Sequence, residues 1–239
     1  EVKILEQKEL ETPASRYQIA EMGDYRIGKH TYKQGYYVYH GMEGYGFFYA
    51  KKPLIATTLL QKRQGRLSWR EWMVDSPTDY RAMQIYAKEA VGRVLTTGLG
   101  LGLVTQELCN NKSVESITVV EISPSVIELI GGYLPKDPKI NIVCQDFWKF
   151  IEEDNSRWDT MIVDIWVYWG LDQQVSQYKK EIIPASKMLR AKYPGAKIFF
   201  HGFAGMPTEE QVDKALENGE DVDPLIYGLG ETDVSDTNR

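Results

Sequence analysis

Val94-Leu95-Thr96-Thr97-Gly98-Leu99-Gly100-Leu101-Gly102 decides how the rest of the chain is read. A short apolar run ends in a glycine-rich turn, and a helical pattern follows from Gly102 to about Asn110, with Leu103, Val104 and Leu108 on one face. Glycines lack Cβ, so they permit a tight turn and let a ligand approach the backbone closely. The spacing of this loop is informative. A dinucleotide fingerprint wants Gly or Ala at 103, where this chain has Leu103. The third glycine comes one residue early, at Gly102, which suits a smaller ligand. No Gly-Lys-Ser/Thr follows, which excludes a P-loop.

Downstream, the alternation of strand and helix repeats. Ile117–Val120, Ile140–Cys144, Thr160–Val163 and Ala196–Phe200 read as strands. Helices follow Ser123-Pro124, run over Phe147–Glu153, and extend from about Asp172 toward Lys192 with an interruption near Pro184. Near-continuous apolar strands separated by helices imply a parallel sheet covered on both faces. Right-handed crossovers leave a doubly wound, Rossmann-like α/β sheet. Upstream the pattern differs. From Tyr25 to Asp75, aromatic and β-branched runs punctuated by glycine predict a small antiparallel sheet. After Pro77 a helical period runs to Val91, capped by Asp75 or Ser76. Residues 1–24 carry no clear pattern. The expected division is a β-rich segment over 1–76 and a Rossmann-like unit over 77–239 with an acidic C-terminal tail.

In such a sheet, ligands bind beyond the carboxyl ends of the strands. Acidic residues stand at three of those ends. Glu121 lies about 20 residues past the glycine loop, where a carboxylate accepts from ribose hydroxyls. Asp146 is placed to accept from an adenine amino group, with Phe147 or Trp148 as an aromatic wall. Asp164 ends the fourth strand, where a carboxylate can hold an ammonium or take a proton from a nucleophile. Trp166, Tyr168 and Trp169 follow it as walls for a flat or cationic substrate. Each has a plainer reading: Glu121 and Asp146 as helix-terminal carboxylates, the aromatics as packing.

Taken together, Leu95–Gly102, Val119-Val120-Glu121-Ile122, Gln145-Asp146-Phe147 and Ile162-Val163-Asp164 resemble the ordered motifs of class I S-adenosylmethionine-dependent methyltransferases. The β-rich segment and the Ser123-Pro124-Ser125-Val126-Ile127-Glu128 helix look most like the spermidine-synthase branch. The resemblance covers about residues 78–203 and implies a cofactor site made of Thr97, Gly98, Gly100, Gly102, Glu121, Ile122, Asp146 and Phe147. It implies S-adenosylmethionine or its decarboxylated form as cofactor, with chemistry at Asp164, Trp166 and Tyr168. The chain departs from the pattern at three places. Many methyltransferases have an acidic residue where this chain has Thr96 and Thr97. Aminopropyltransferases typically have aspartate where this chain has Leu101, and a second acidic residue soon after Asp164. The expected function is therefore methyl transfer to an unidentified acceptor. Aminopropyl transfer and a non-catalytic binding or assembly module are the alternatives.

Composition bounds the partners. At 43% hydrophobic and 26% charged, the chain has the make-up of a soluble globular protein. No apolar run reaches the roughly 20 residues a spanning helix needs, and no secretory-type segment opens the sequence. A net charge of −6 disfavours non-specific nucleic-acid binding. The expectations are a cytoplasmic protein, a small-molecule acceptor, no membrane and no nucleic acid, with the β-rich segment as a candidate surface for homo-oligomerisation. Three scattered histidines suggest no metal cluster, and Cys109 and Cys144 read as reduced core residues. Lys51, Lys52, Lys62, Arg63, Arg66 and Arg70 occupy a stretch without acidic residues. It reads as a solvated hairpin or as a landing site for an anion or the acidic tail.

Overall fold

The computed structural model describes residues 2–41, 44–65, 67–166 and 178–201. Seven strands come first: β1 (Val2–Leu5), β2 (Ala20–Met22), β3 (Tyr25–Tyr32), β4 (Gly35–Gly41), β5 (Gly44–Ala50), β6 (Leu54–Lys62) and β7 (Trp69–Val74). They form two sheets rather than the single one expected. β2, β3, β6 and β7 make a four-stranded antiparallel sheet in that order. β4 and β5 pair antiparallel, and β1 joins β5 in parallel. The described part of the basic stretch falls largely on the β6–β7 hairpin and the turn before it. There Arg70 lies over the Trp72 ring, 5.5 Å from its centroid.

The second half alternates as the sequence predicts: α1 (Pro77–Glu89), β8 (Gly92–Thr97), α2 (Leu103–Asn110), β9 (Val114–Glu121), α3 (Pro124–Gly131), β10 (Ile140–Cys144), α4 (Phe147–Glu153), β11 (Thr160–Val163), α5 (Ile183–Lys192) and β12 (Lys197–Phe200). Ser76, not Asp75, caps α1, its hydroxyl accepting from the Asp79 N–H with Pro77 in the first turn. Ser123 does the same for α3. α5 begins beside Pro184, whose fixed φ suits a helix's first turn. The chain before it, Tyr178–Ile182, winds as a π-turn rather than continuing a long α-helix. Residues 167–177 and 202–239, which include Tyr168, Trp169 and the acidic tail, lie outside the described residues.

The five strands β8–β12 form one parallel sheet ordered β10-β9-β8-β11-β12. Side chains alternate between its faces. Val94, Ile117, Val119 and Ile162 join one buried cluster with Leu103, Leu108, Val126 and Ile130. Leu95, Val120, Met161 and Val163 join the other with Phe147, Ile151, Leu189 and Tyr193. That two-sided burial explains the unbroken apolar runs. The first cluster also takes in Tyr17, Ile27 and Leu59, so the antiparallel sheet leans on the same face. Cys109 is half-buried and Cys144 exposed, both as free thiols. Cys144, expected in the core, ends β10, which among the described residues is an edge strand with one side uncovered. No helix among the described residues is long and apolar enough to cross a membrane.

Asp75 sits at the junction of β7 and α1 with no exposed surface. The Thr12 hydroxyl donates to one oxygen, while the other has no partner among the described residues. Burial pushes the carboxyl up to about 7. The Thr12 bond opposes the shift, Asp79 adds to it, and Lys29 opposes it more weakly. A carboxyl raised in the folded state binds its proton more tightly there than in the unfolded chain. The contribution of this group to stability is therefore fully present below about pH 4 and is lost as pH rises from about 4 to 7. Some three pH units at 1.36 kcal/mol each set a ceiling of about 4 kcal/mol. Asp75→Asn is expected to flatten that slope, read as urea midpoints at pH 4, 6 and 8.

Candidate active site

The sheet order reverses at β8: β9 lies on one side of it and β11 on the other. That switch point opens a crevice at the carboxyl ends of the strands. A cleft of about 570 Å³ lies there, lined by the glycine loop, Glu121, Ile122, Gln145, Asp146, Asp164, Trp166 and His201. Tyr25, Trp72 and Met73 of the antiparallel sheet wall its other side.

Several hydrogen bonds lock the loop. The Gly98 N–H donates to the Val120 carbonyl (2.9 Å), and the Gly102 N–H to the Leu99 carbonyl (2.7 Å). Tyr17, only 2% exposed, donates its hydroxyl to the Leu101 carbonyl (2.9 Å). Gln106 donates to the same hydroxyl (2.7 Å), and burial pushes that phenol up to about 12. Gly98, Gly100 and Gly102 all have positive φ. At Gly102, which caps α2 with φ +71°, an added Cβ would lie 2.7 Å from Leu134. At Gly100 it would lie 2.7 Å from the Met73 sulfur. The missing Cβ atoms thus make room for protein, and the loop offers the cleft its backbone.

Glu121 is 7% exposed and bridges two backbones. One oxygen accepts from the Leu99 N–H (2.7 Å), the other from the Ser123 N–H (2.8 Å). Each carboxylate oxygen has a second lone pair, so the group can still accept from a sugar diol. Ile122 beside it is 65% exposed, an apolar surface on the cleft. Asp146 caps α4, accepting from the Lys149 N–H (3.1 Å). Its other oxygen has no partner among the described residues. Phe147 is mostly sunk in the core at 5% exposure, with Trp148 4.9 Å away. The chemistry of this set fits an adenine nucleoside: acceptors for sugar hydroxyls, a spare carboxylate oxygen for an exocyclic amine, and apolar faces between them.

Thr97 does not open to the cleft through its hydroxyl alone. That oxygen accepts from the Asp164 N–H (2.6 Å), tying the ends of β8 and β11 together. Asp164 keeps some contact with the cleft but is packed around by protein. That desolvation pushes its carboxyl above the ordinary range, with His201 opposing and Asp79 adding. Trp166 packs on Phe200, ring centroids 5.8 Å apart. Tyr168, also placed at the chemistry by the sequence, lies outside the described residues.

Sequence reasoning missed Asp79, His201, Tyr17 and Met73. His201 carried a signal, because it follows directly on the fifth strand's end. The other three reach the site from outside the alternating pattern.

Residues 82–218, more than half of the chain, match the spermine/spermidine synthase domain. The chain belongs to the spermine/spermidine synthase family. Polyamine aminopropyltransferase 1 of Pseudomonas aeruginosa is 37% identical over 87 residues, 34% of this chain and 30% of that protein. Polyamine aminopropyltransferase of Clostridium botulinum (strain Alaska E43 / Type E3) is 38% identical over 80 residues, 31% and 28% of the two. The alignments thus span under a third of these relatives' length. The spermidine synthase of Thermotoga maritima superposes with a TM-score of 0.36 at 15% identity, covering 58% of this chain and 57% of that one. These findings overturn the expectation of a methyltransferase. The matching family is named for spermine and spermidine synthases, and these relatives for aminopropyl transfer.

Proposed function

We propose that this spermine/spermidine synthase family member transfers an aminopropyl group from decarboxylated S-adenosylmethionine to an amine. The observation that carries the reading is the single cleft holding Glu121, Asp146 and Asp164, all within the stretch that matches the family. Glu121 would hold the ribose, Asp146 the adenine amine, and Ile122 the base.

The sulfonium supplies an electrophilic carbon and a good leaving group. An aliphatic amine is mostly protonated at neutral pH, since ammonium groups of this kind titrate near ~10. Attack needs its lone pair. Asp164 would accept the departing proton, and its desolvated carboxyl is a stronger base than a solvated one. The nitrogen lone pair forms the new C–N bond, and the C–S pair leaves on sulfur as a neutral thioether. Leu101, fully buried, stands where relatives typically carry an aspartate. Among the described residues, Asp79 and Asp164 would be the acidic groups facing the acceptor, with Trp72 and Trp166 as walls.

The test is incubation of the purified chain with decarboxylated S-adenosylmethionine and a panel of linear mono-, di- and triamines. Equimolar methylthioadenosine and aminopropylated amine are expected by mass spectrometry. Release of neither with any amine would refute the proposal.

A further inference from the structure

Beyond the family reading lies a group of side chains drawn from three separate elements. Ser76 caps α1 and donates its hydroxyl to Asp79 Oδ2 (2.6 Å). That bond leaves Asp79 Oδ1 facing His201 Nε2 at 3.8 Å. His201 follows β12, its own N–H bound to the Val163 carbonyl (2.9 Å). Its ring meets Tyr86 edge-on, centroids 5.9 Å apart. Nδ1 is buried and has no partner among the described residues. His201, Asp79 and Asp164 all line the one cleft.

An imidazole so held has one nitrogen directed at a carboxylate and one left over. A buried ring nitrogen without a partner costs free energy, and its retention calls for a reason such as a role in proton transfer. The arrangement matches the general pattern of a base oriented by a third group. A carboxylate that takes a proton from an amine must lose it before the next turnover. Desolvation slows that loss, because no water shell surrounds the group.

We propose that His201, oriented by Asp79, is a positioning and proton-carrying residue that takes the proton from Asp164 and returns it to solvent. This rests on the aminopropyl-transfer reading. The step balances: the carboxylic acid and neutral imidazole become carboxylate and imidazolium, and the imidazolium then gives its proton to water or buffer. The titratable groups facing His201 are Asp79 and Tyr86 from α1 and Asp164 beyond β11.

Two measurements test it. The first needs no turnover. In protein labelled with ¹³C at the aspartate carboxyls, the Asp164 signal is assigned by its loss in Asp164→Asn and titrated in wild type and His201→Gln. A displacement of its midpoint in His201→Gln is expected, because the ring that exchanges a proton with it is gone. An unchanged midpoint overturns the proposal. The second is kinetic. His201→Gln is expected to lower kcat at least tenfold with KM within twofold, and added imidazole to restore part of the rate. Asp79→Asn, at a half-exposed side chain, is expected to lower kcat in the same sense. Wild-type kcat in His201→Gln, or a loss that imidazole does not relieve, overturns it. A displaced midpoint with no turnover in wild type would instead refute the transfer reading and leave the coupling intact.

Discussion

Asp164→Asn is expected to lower the transfer rate by roughly 10²–10⁴-fold, the usual contribution of a positioned general base. The substitution keeps size and shape. The bond that fixes this position runs from the backbone N–H to Thr97 Oγ1, so it survives the change. Burial of the carboxyl disfavours charge, and the neutral amide removes that cost. Thermal stability should therefore hold or rise while kcat collapses. KM for the nucleoside should change little, because Glu121 and Asp146 grip that end. Single-turnover kinetics separate the two. A rate within threefold of wild type would remove Asp164 from the chemistry.

Glu121→Gln should have the other large effect, on binding rather than rate. The wild-type carboxylate accepts from Leu99 and Ser123 N–H groups and, on the proposal, from two ribose hydroxyls. The amide replaces one oxygen with a donor that would face a backbone N–H. Hydrogen bonds to charged groups are worth about 1.5–3 kcal/mol each. Losing about 3 kcal/mol corresponds to roughly a hundredfold weaker nucleoside binding. The Leu99 bond also holds the loop, so stability should fall by about 1–3 kcal/mol. Calorimetry with methylthioadenosine reads the first effect and urea unfolding the second. Unchanged affinity would mean that the sugar does not rest on Glu121.

What the sequence made legible follows from where the ordering forces are local. Residues 94–95, 117–120 and 161–163 present apolar side chains to both faces because both faces are covered. Their runs therefore declare strands without any partner being known. Ser76, Ser123 and Asp146 sit one residue before their helices and hydrogen-bond within three residues. The glycine loop and Glu121 are set by one crossover, so their spacing carries the site. Residues 1–24 gave no pattern because their order is tertiary. Tyr17 is held by Leu101 and Gln106, more than 80 positions away, and stacks on Tyr133 at 4.0 Å. β1 likewise enters the β4–β5 sheet only by pairing with β5, more than 40 positions along the chain. Asp79 and His201 meet only because the start of α1 and the end of β12 lie at the same edge. No spacing along the chain could bring them together on paper. The choice between methyl and aminopropyl transfer was illegible for a chemical reason. On the proposal both reactions would use the same nucleoside grip; they differ in the carboxylate of the ligand and in the group that leaves sulfur, and Leu101 and the residues after Asp164 depart from the pattern typical of aminopropyltransferases.

The most direct test of the whole account is calorimetric titration of the chain with decarboxylated S-adenosylmethionine and, separately, with the intact form. Saturable 1:1 binding of the decarboxylated ligand, at least tenfold tighter than the intact one and weakened in Glu121→Gln, is the predicted result. Failure of the decarboxylated ligand to bind, or equal binding that Glu121→Gln leaves untouched, would contradict it.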